Sequence, residues 1–233
     1  ERIFDEACTL LAGDDLAGET VLITAGPTRE ELDPVRYISN HSSGKMGYAL
    51  AQAARHRGAK VMLVSGPTCL APPPGVELVQ VESALQMQEA VMARVADCSV
   101  VIKAAAVADY RPVLRNEEKM KKCGETLSLE LEKNPDILAE LGQLEQRPLL
   151  VGFAAETTDL QNNAAAKLAA KNLDMIVAND VSQEGAGFNV ATNIARLLYR
   201  DDRVEPLELM PKTRLAELIL DRVVELLQNK GRA

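Results

Sequence analysis

Val21-Leu-Ile-Thr24 runs into Ala25-Gly26-Pro27-Thr28-Arg29-Glu30, and then into Asp33-Pro-Val-Arg36-Tyr-Ile-Ser-Asn40-His-Ser-Ser-Gly44-Lys-Met-Gly47; this stretch decides the fold. An apolar run of strand length gives way to a glycine turn and a polar loop. A Gly-x-x-Gly start then opens an alanine-rich helix that ends at Arg57-Gly58. Strand, glycine turn and helix start in that order are how α/β proteins aim backbone N–H groups at a phosphate. The polar insert between Gly26 and Gly44 is the unusual part, because a dinucleotide fingerprint holds its three glycines within about six residues.

Outward from that stretch, apolar runs alternate with segments of helical period, the signature of an α/β domain. Strands are expected at Val21–Thr24, Lys60–Ser65, Val76–Val81, Ser99–Ile102, Leu127–Leu131, Leu149–Phe153 and Met175–Ala178. Helices are expected at Gly47–Arg57, Ala84–Val95, Ile137–Leu144 and Leu160–Lys171. In the second of these, Leu85, Val91 and Val95 fall on the face expected to be buried. Ile194–Tyr199, Val204–Leu207 and Lys212–Gln228 read as a hairpin followed by a closing helix. The fold class is therefore α/β, a doubly wound Rossmann-like parallel sheet with a small antiparallel extension. Residues 1–19 read as a linker or N-terminal helix from a longer polypeptide, a reading suggested by the start at Glu1 rather than Met. Residues 20–233 read as one nucleotide-binding domain.

The formal net charge of −8 argues against general nucleic-acid binding, which needs Lys and Arg in clustered excess. No run approaches the ~18 apolar residues of a membrane span, and no signal-peptide pattern opens the chain; a cytoplasmic protein is expected. Cys8, Cys69, Cys98 and Cys123 lack metal-ligand spacing, and His41 and His56 are the only imidazoles. Free thiols in a reducing compartment are the better reading than a zinc site.

In doubly wound sheets, ligands sit outside the carboxyl ends of the strands, where the strand order reverses. The segments from Gly26 to Gly44, Ala104 to Asp109, Ala154 to Thr157 and Asn179-Asp180 all follow strands. Ala104-Ala105-Ala106 would let a base or a phosphate approach the backbone; alone they would better be read as packing beneath a helix, but Asp109 and the lysine cluster nearby favour a ligand. Asp109 could hold a ribose hydroxyl or magnesium, or cap a loop. Lys119, Lys121 and Lys122 could be no more than a solvated face. Lys167 and Lys171, spaced i, i+4, share a helix face. Gly44-Lys45-Met46 breaks the P-loop pattern, and no Gly-x-Ser-x-Gly elbow is present. Tyr48 and Tyr110 are followed four residues on by Gln52 and Leu114, not by the lysine of short-chain reductases. A nucleotide-phosphate enzyme or binding module outside the P-loop class remains.

At these residues the chain resembles the bacterial phosphopantothenate–cysteine ligases. The resemblance extends from about Thr20 to the last helix and rests on ordered motifs. These are Thr24-Ala-Gly-Pro-Thr-Arg-Glu30, the Asp33 to Gly47 run, Lys103-Ala-Ala-Ala-Val-Ala-Asp-Tyr-Arg-Pro112, Lys119-Met-Lys-Lys122, Lys133-Asn-Pro-Asp-Ile137, Gly152-Phe-Ala-Ala-Glu-Thr157 and Ala178-Asn-Asp-Val181. It implies a ligation of 4′-phosphopantothenate with L-cysteine, dependent on magnesium and CTP, through an acyl-cytidylate. It implies a homodimer, and a flavin-dependent decarboxylase domain N-terminal to this one in the full-length protein, so that no FMN belongs here. The Lys119-Met-Lys-Lys122 segment favours CTP, since the ATP-using eukaryotic relatives lack it.

By the same resemblance Lys103, Ala104 and Ala105 line the nucleotide, Asp109 contacts it, and Lys119 meets the phosphates and assists the cysteine step. Pro135, Asp136, Ile137 and Leu138 frame the cytosine with Phe153, while Lys167 and Lys171 complete the cationic side. Asn40 binds the acyl intermediate and stabilises charge during aminolysis. Arg36, Ser42, Ser43, Gly44 and Ala106 place phosphopantothenate. No metal-coordinating residue is singled out. An NADP-dependent reductase and a non-catalytic nucleotide-binding module are the rivals; stretched glycines weigh against the first, and functional residues on separate loops against the second. The polar, lysine-rich loop from Arg111 to Gly124 is expected to be mobile and to close over CTP.

Overall fold

Fully apolar runs flanked by turns form parallel strands buried on both faces, and they fill the centre of the sheet, whose outermost parallel strand, Glu77–Gln80, is half-exposed at the edge. The computed structural model describes residues 2–121, 124–156, 159–180, 187 and 190–230. Helix α1 (Arg2–Ala12) leads into strand β1 (Thr20–Ala25), the hairpin β2 (Arg29–Glu31) and β3 (Tyr37–Ser39), and helix α2 (Lys45–His56). Next come β4 (Lys60–Ser65), β5 (Glu77–Gln80), α3 (Ala84–Met92), β6 (Val100–Lys103), and the pair β7 (Tyr110–Pro112) and β8 (Leu131–Lys133). The chain finishes with α4 (Ile137–Gly142), β9 (Leu149–Glu156), α5 (Leu160–Ala170), β10 (Met175–Asp180), β11 (Thr192–Tyr199), β12 (Val204–Pro211) and α6 (Lys212–Lys230).

Among the described residues the main sheet has eight strands in the order β12-β11-β10-β9-β6-β1-β4-β5. From β5 to β10 neighbours run parallel; β11 and β12 add antiparallel, the extension expected from the sequence. The chain order reverses between β1 and β6. Helices α2 and α6 cover one face over a core that includes Ile23, Leu50, Val61, Ile102, Leu215 and Ile219. Helices α3, α4 and α5 cover the other over Leu22, Met87, Val101, Leu141, Leu150 and Leu168. The first core also takes in Leu16, upstream of Thr20. Arg57, at the end of α2, is buried and ion-paired to Asp15 and Asp221 and, more loosely, to Glu217, tying that upstream segment to α6.

Several expected boundaries move. The strand expected at Leu127–Leu131 starts only at Leu131, because Leu127, Leu129 and Leu131 are all exposed and their alternation faces no core. Arg111-Pro112, expected as loop, lies in β7, which pairs with β8. Helix α3 stops at Met92 and a short 3₁₀ turn holds Val95. Its buried face is Ala84, Met87, Ala90 and Val91, whereas Leu85 is 45% exposed. The β2–β3 hairpin inside the Gly26–Gly44 insert has no counterpart in the expected elements. Among the described cysteines Cys8, Cys69 and Cys98 are free thiols. Lys122, Cys123 and Thr157 lie outside the described residues.

Candidate nucleotide-binding site

The loops that follow β1 and β6 are knitted together by main-chain atoms. Ala106 N–H donates to the Gly26 carbonyl at 2.9 Å, and Thr28 N–H to the Ala106 carbonyl at 3.3 Å. Side chains extend the seam: Thr24 Oγ1 accepts from Ala105 N–H at 3.2 Å and Thr28 Oγ1 from Ala108 N–H at 3.0 Å. The crevice at the strand-order reversal thus has a rigid floor of small residues. Helix α2 starts on its rim. Gly44, its N-cap, has φ +76° and offers no side chain to the first N–H groups. Gly47 lets α2 lie directly on β1, since a Cβ there would stand 2.5 Å from Ala25 Cβ.

A cavity of 260 Å³ opens over this floor. Asn40, Ser42, Ser43 and Gly44 line it from the first loop. Lys103, Ala104, Ala105 and Ala106 line it from the second, and Phe153 from β9. These nine expected residues therefore meet in one place. Asn40 bridges the two loops, its Nδ2 donating to the Val107 carbonyl at 2.9 Å. Lys103 ends β6 at the centre of the sheet. Burial, and then the neighbouring Lys171, push its ammonium down to about 8, against the opposing pull of Asp136 and Asp109. Lys171 in turn pairs with Asp136 at 2.9 Å. Burial alone would raise the Asp136 carboxyl, but the bond from Lys171, the Ala139 N–H and the charges of Lys171 and Lys103 outweigh it and hold it below the usual range. Asp109, Asp136, Lys103 and Lys171 therefore form one mixed-charge group beside the cavity.

Other expected residues stand farther out. Asp136 caps α4, accepting from Ala139 N–H at 3.1 Å. Ile137 and Leu138 point into the core, so only their main chain could meet a ligand, while Pro135 is half-buried at the mouth of α4. Lys167, in the last turn of α5, is exposed. Arg36 does not line the cavity: its guanidinium is bound to Asp33 and to the Met120 carbonyl at 2.8 Å. Asp33 also accepts from the N–H groups of Val35, Arg36 and Met120. Burial would raise the Asp33 carboxyl, yet Arg36 and these three N–H donors hold it far below the usual range. Lys119 is exposed on the loop that Met120 anchors, and it too lies outside the cavity lining. That loop is moored to the hairpin by the Arg115–Glu31 ion pair and by Asn116 N–H to the Leu32 carbonyl at 2.9 Å.

The cavity also holds Lys45, Asn179, Asn193 and Lys212, to which sequence reasoning assigned no role. Lys45 and Asn179 stand within stretches singled out above. Asn193 lies in β11 of the antiparallel extension and Lys212 at the start of α6, and the one available signal was a lysine opening a helix directly after Pro211. Among the described residues no group of three His, Cys, Asp or Glu side chains could hold a metal ion, and no helix is long and apolar enough to cross a membrane.

The family model described as the DNA/pantothenate metabolism flavoprotein C-terminal domain matches residues 16–227. The coenzyme A biosynthesis bifunctional protein CoaBC of Vibrio parahaemolyticus is 52% identical over 215 residues, covering 91% of this chain and 54% of that protein. The protein of the same name from Bacillus subtilis is 49% identical over 217 residues, covering 93% and 53%. A crystal structure of the C-terminal domain of CoaBC superposes with a TM-score of 0.81 at 46% identity, covering 93% of this chain and 99% of that one. The chain thus spans about half the length of the curated relatives it matches.

Proposed function

Because the chain belongs to the family of DNA/pantothenate metabolism flavoprotein C-terminal domains, we propose that it joins 4′-phosphopantothenate to L-cysteine in coenzyme A biosynthesis, using CTP. The observation that carries this reading is the cavity at the strand-order reversal, where Asn40, Lys103 and Ala104 to Ala106 converge on one small volume. A carboxylate is a poor acyl donor until one of its oxygens becomes part of a phosphate leaving group. In the first step that oxygen attacks the α-phosphorus of CTP and the bond to the β-phosphate breaks, releasing pyrophosphate. In the second the cysteine amine attacks the acyl carbon, CMP leaves, and the amine proton passes to solvent. Lys103 and Lys171 offset the nucleotide's negative charge, Ala104 to Ala106 let it lie against the main chain, and Pro135, Asp136 and Phe153 bound the base. The Asn40 amide donates to the oxyanion of the tetrahedral intermediate, a role that depends on a donor fixed in advance.

The donor set would suit a magnesium ion carried by the triphosphate and keeping much of its water, with Asp109 as one protein carboxylate. Bound there, magnesium would draw charge from the phosphate oxygens. Lys119 would join the phosphates from its loop, and Lys167 would extend the cationic side. Arg36, Ser42, Ser43 and Gly44 would place phosphopantothenate, with Arg36 acting across a homodimer interface. Exposed Val35 and Tyr37 on the β2–β3 hairpin and Tyr110 and Leu131 on the β7–β8 pair support that homodimer. A decarboxylase domain preceding this one, FMN bound only there, and a cytoplasmic location complete the reading.

Pyrophosphate release with 4′-phosphopantothenate, magnesium and either CTP or ATP, with and without cysteine, tests it. Release that needs phosphopantothenate, prefers CTP and continues beyond one turnover only with cysteine is the expected outcome. Nicotinamide oxidation, or no release under any combination, would overturn it.

A further inference from the structure

Lys212 opens α6 on the cavity wall and is only 6% exposed. Its ammonium has three hydrogens to give, and it donates to the carbonyls of Gly187 at 2.8 Å, Val190 at 2.7 Å and Thr192 at 3.1 Å. These acceptors lead directly into Asn193, whose buried amide lies 3.4 Å from Asn179 Oδ1 in the same cavity. None of these three acceptors is a carboxylate, so the contacts solvate the charge with dipoles and supply no counter-charge.

Lys45 faces Lys212 from α2, and Glu6 and Arg55 line the groove farther out. That groove, of 1090 Å³, shares Lys45 and Lys212 with the 260 Å³ cavity, so the two lysines stand where the spaces join. Both open a helix, where the macrodipole is already positive. Burial and then the Lys45 charge push the Lys212 ammonium down to about 8. A positive charge assembled against its own surroundings is relieved by an anion.

We propose that Lys212 is a positioning residue of this site. Pinned by the Gly187, Val190 and Thr192 carbonyls, it fixes the Asn193 wall and, with Lys45, presents positive charge to a phosphate group of a substrate. This rests on the ligase reading for the identity of that substrate. The phosphate is either the nucleotide's leaving pyrophosphate or the phosphomonoester of phosphopantothenate, and the test separates them.

Two measurements on the full chain decide it, comparing wild type with Lys212→Met and Lys212→Arg. The first is calorimetric binding of inorganic pyrophosphate and of inorganic phosphate, which does not depend on catalysis. The second is the KM of CTP, of phosphopantothenate and of cysteine between pH 7 and 9. Lys212→Met is expected to weaken one phosphate-bearing substrate by about tenfold, with Lys212→Arg recovering part of the loss and the cysteine KM moving by less than about twofold. Wild type should lose affinity for that same substrate as pH passes 8, and Lys212→Met should lose less of it over the same range. Unchanged anion binding and KM values alongside a lowered Tm would overturn the proposal, leaving Lys212 as a clamp on the chain alone. Absent turnover in wild type with pyrophosphate binding that still depends on Lys212 would sink the ligase reading and keep the anion site.

Discussion

At Asn40, under the proposed function, one amide serves the second step and not the first. Asn40→Asp replaces a donor with an acceptor beside the Val107 carbonyl. Amide formation is expected to slow by about 10²–10³, the usual effect of losing one oxyanion donor, while pyrophosphate release is retained. Rapid-quench measurement of both products checks this, and equal loss of both steps would reassign Asn40 to binding. Lys103 adds a pH dependence. Its ammonium sits at about 8 against an ordinary 10.5, so it is charged below 8 and neutral above. The CTP KM should therefore rise from pH 8 to 9 in wild type and rise less steeply in Lys103→Met. For stability the sign is opposite. Between 8 and 10.5 the unfolded chain binds the extra proton, so this lysine's contribution to stability improves as pH rises through that window. That Asn40 and Lys103 would meet in one cavity was legible only through the motifs of the family resemblance. Lys212 was not, because its meaning lies in three backbone carbonyls that no residue type announces.

Elements differ in how openly they are written. Lys60–Ser65 is a strand with the bounds expected of it, since a fully buried run has no alternative partner for its apolar surface. The three-residue strands of the β2–β3 hairpin are too short to show a period. Its order comes from Asp33, which gathers Arg36, Val35 and Met120 around one carboxylate. Asp33→Asn should unhook Met120, so that trypsin cleaves after Lys119 and Lys121 faster than in wild type; equal cleavage rates would show that other contacts hold the loop. The same carboxylate, held below its usual range, contributes stability above about pH 4 that is lost on further acidification. Gly47 tests the α2–β1 contact. A methyl there meets Ala25 Cβ at 2.5 Å and the Thr24 carbonyl at 3.0 Å, and Gly47→Ala should cost about 1–3 kcal/mol by overpacking, read by urea unfolding, with weakened CTP binding.

For the whole molecule, alternation of strand and helix made the doubly wound class and the place of the site legible, while the strand order came from pairing between distant segments. The link from Asp15 through Arg57 to Asp221 spans most of the chain and was invisible for the same reason. Arg57→Met should destabilise by no more than the ~3–5 kcal/mol seen when a buried pair loses one partner, because its carboxylates are half-exposed and can turn to water; the Tm measures it. The floor of the site has a different consequence. The bonds joining Gly26, Thr28 and Ala106 run through peptide atoms that every residue carries, so they persist while the loops hung from them change. Substitutions in those loops should therefore alter what the cavity admits while the floor beneath it keeps its shape.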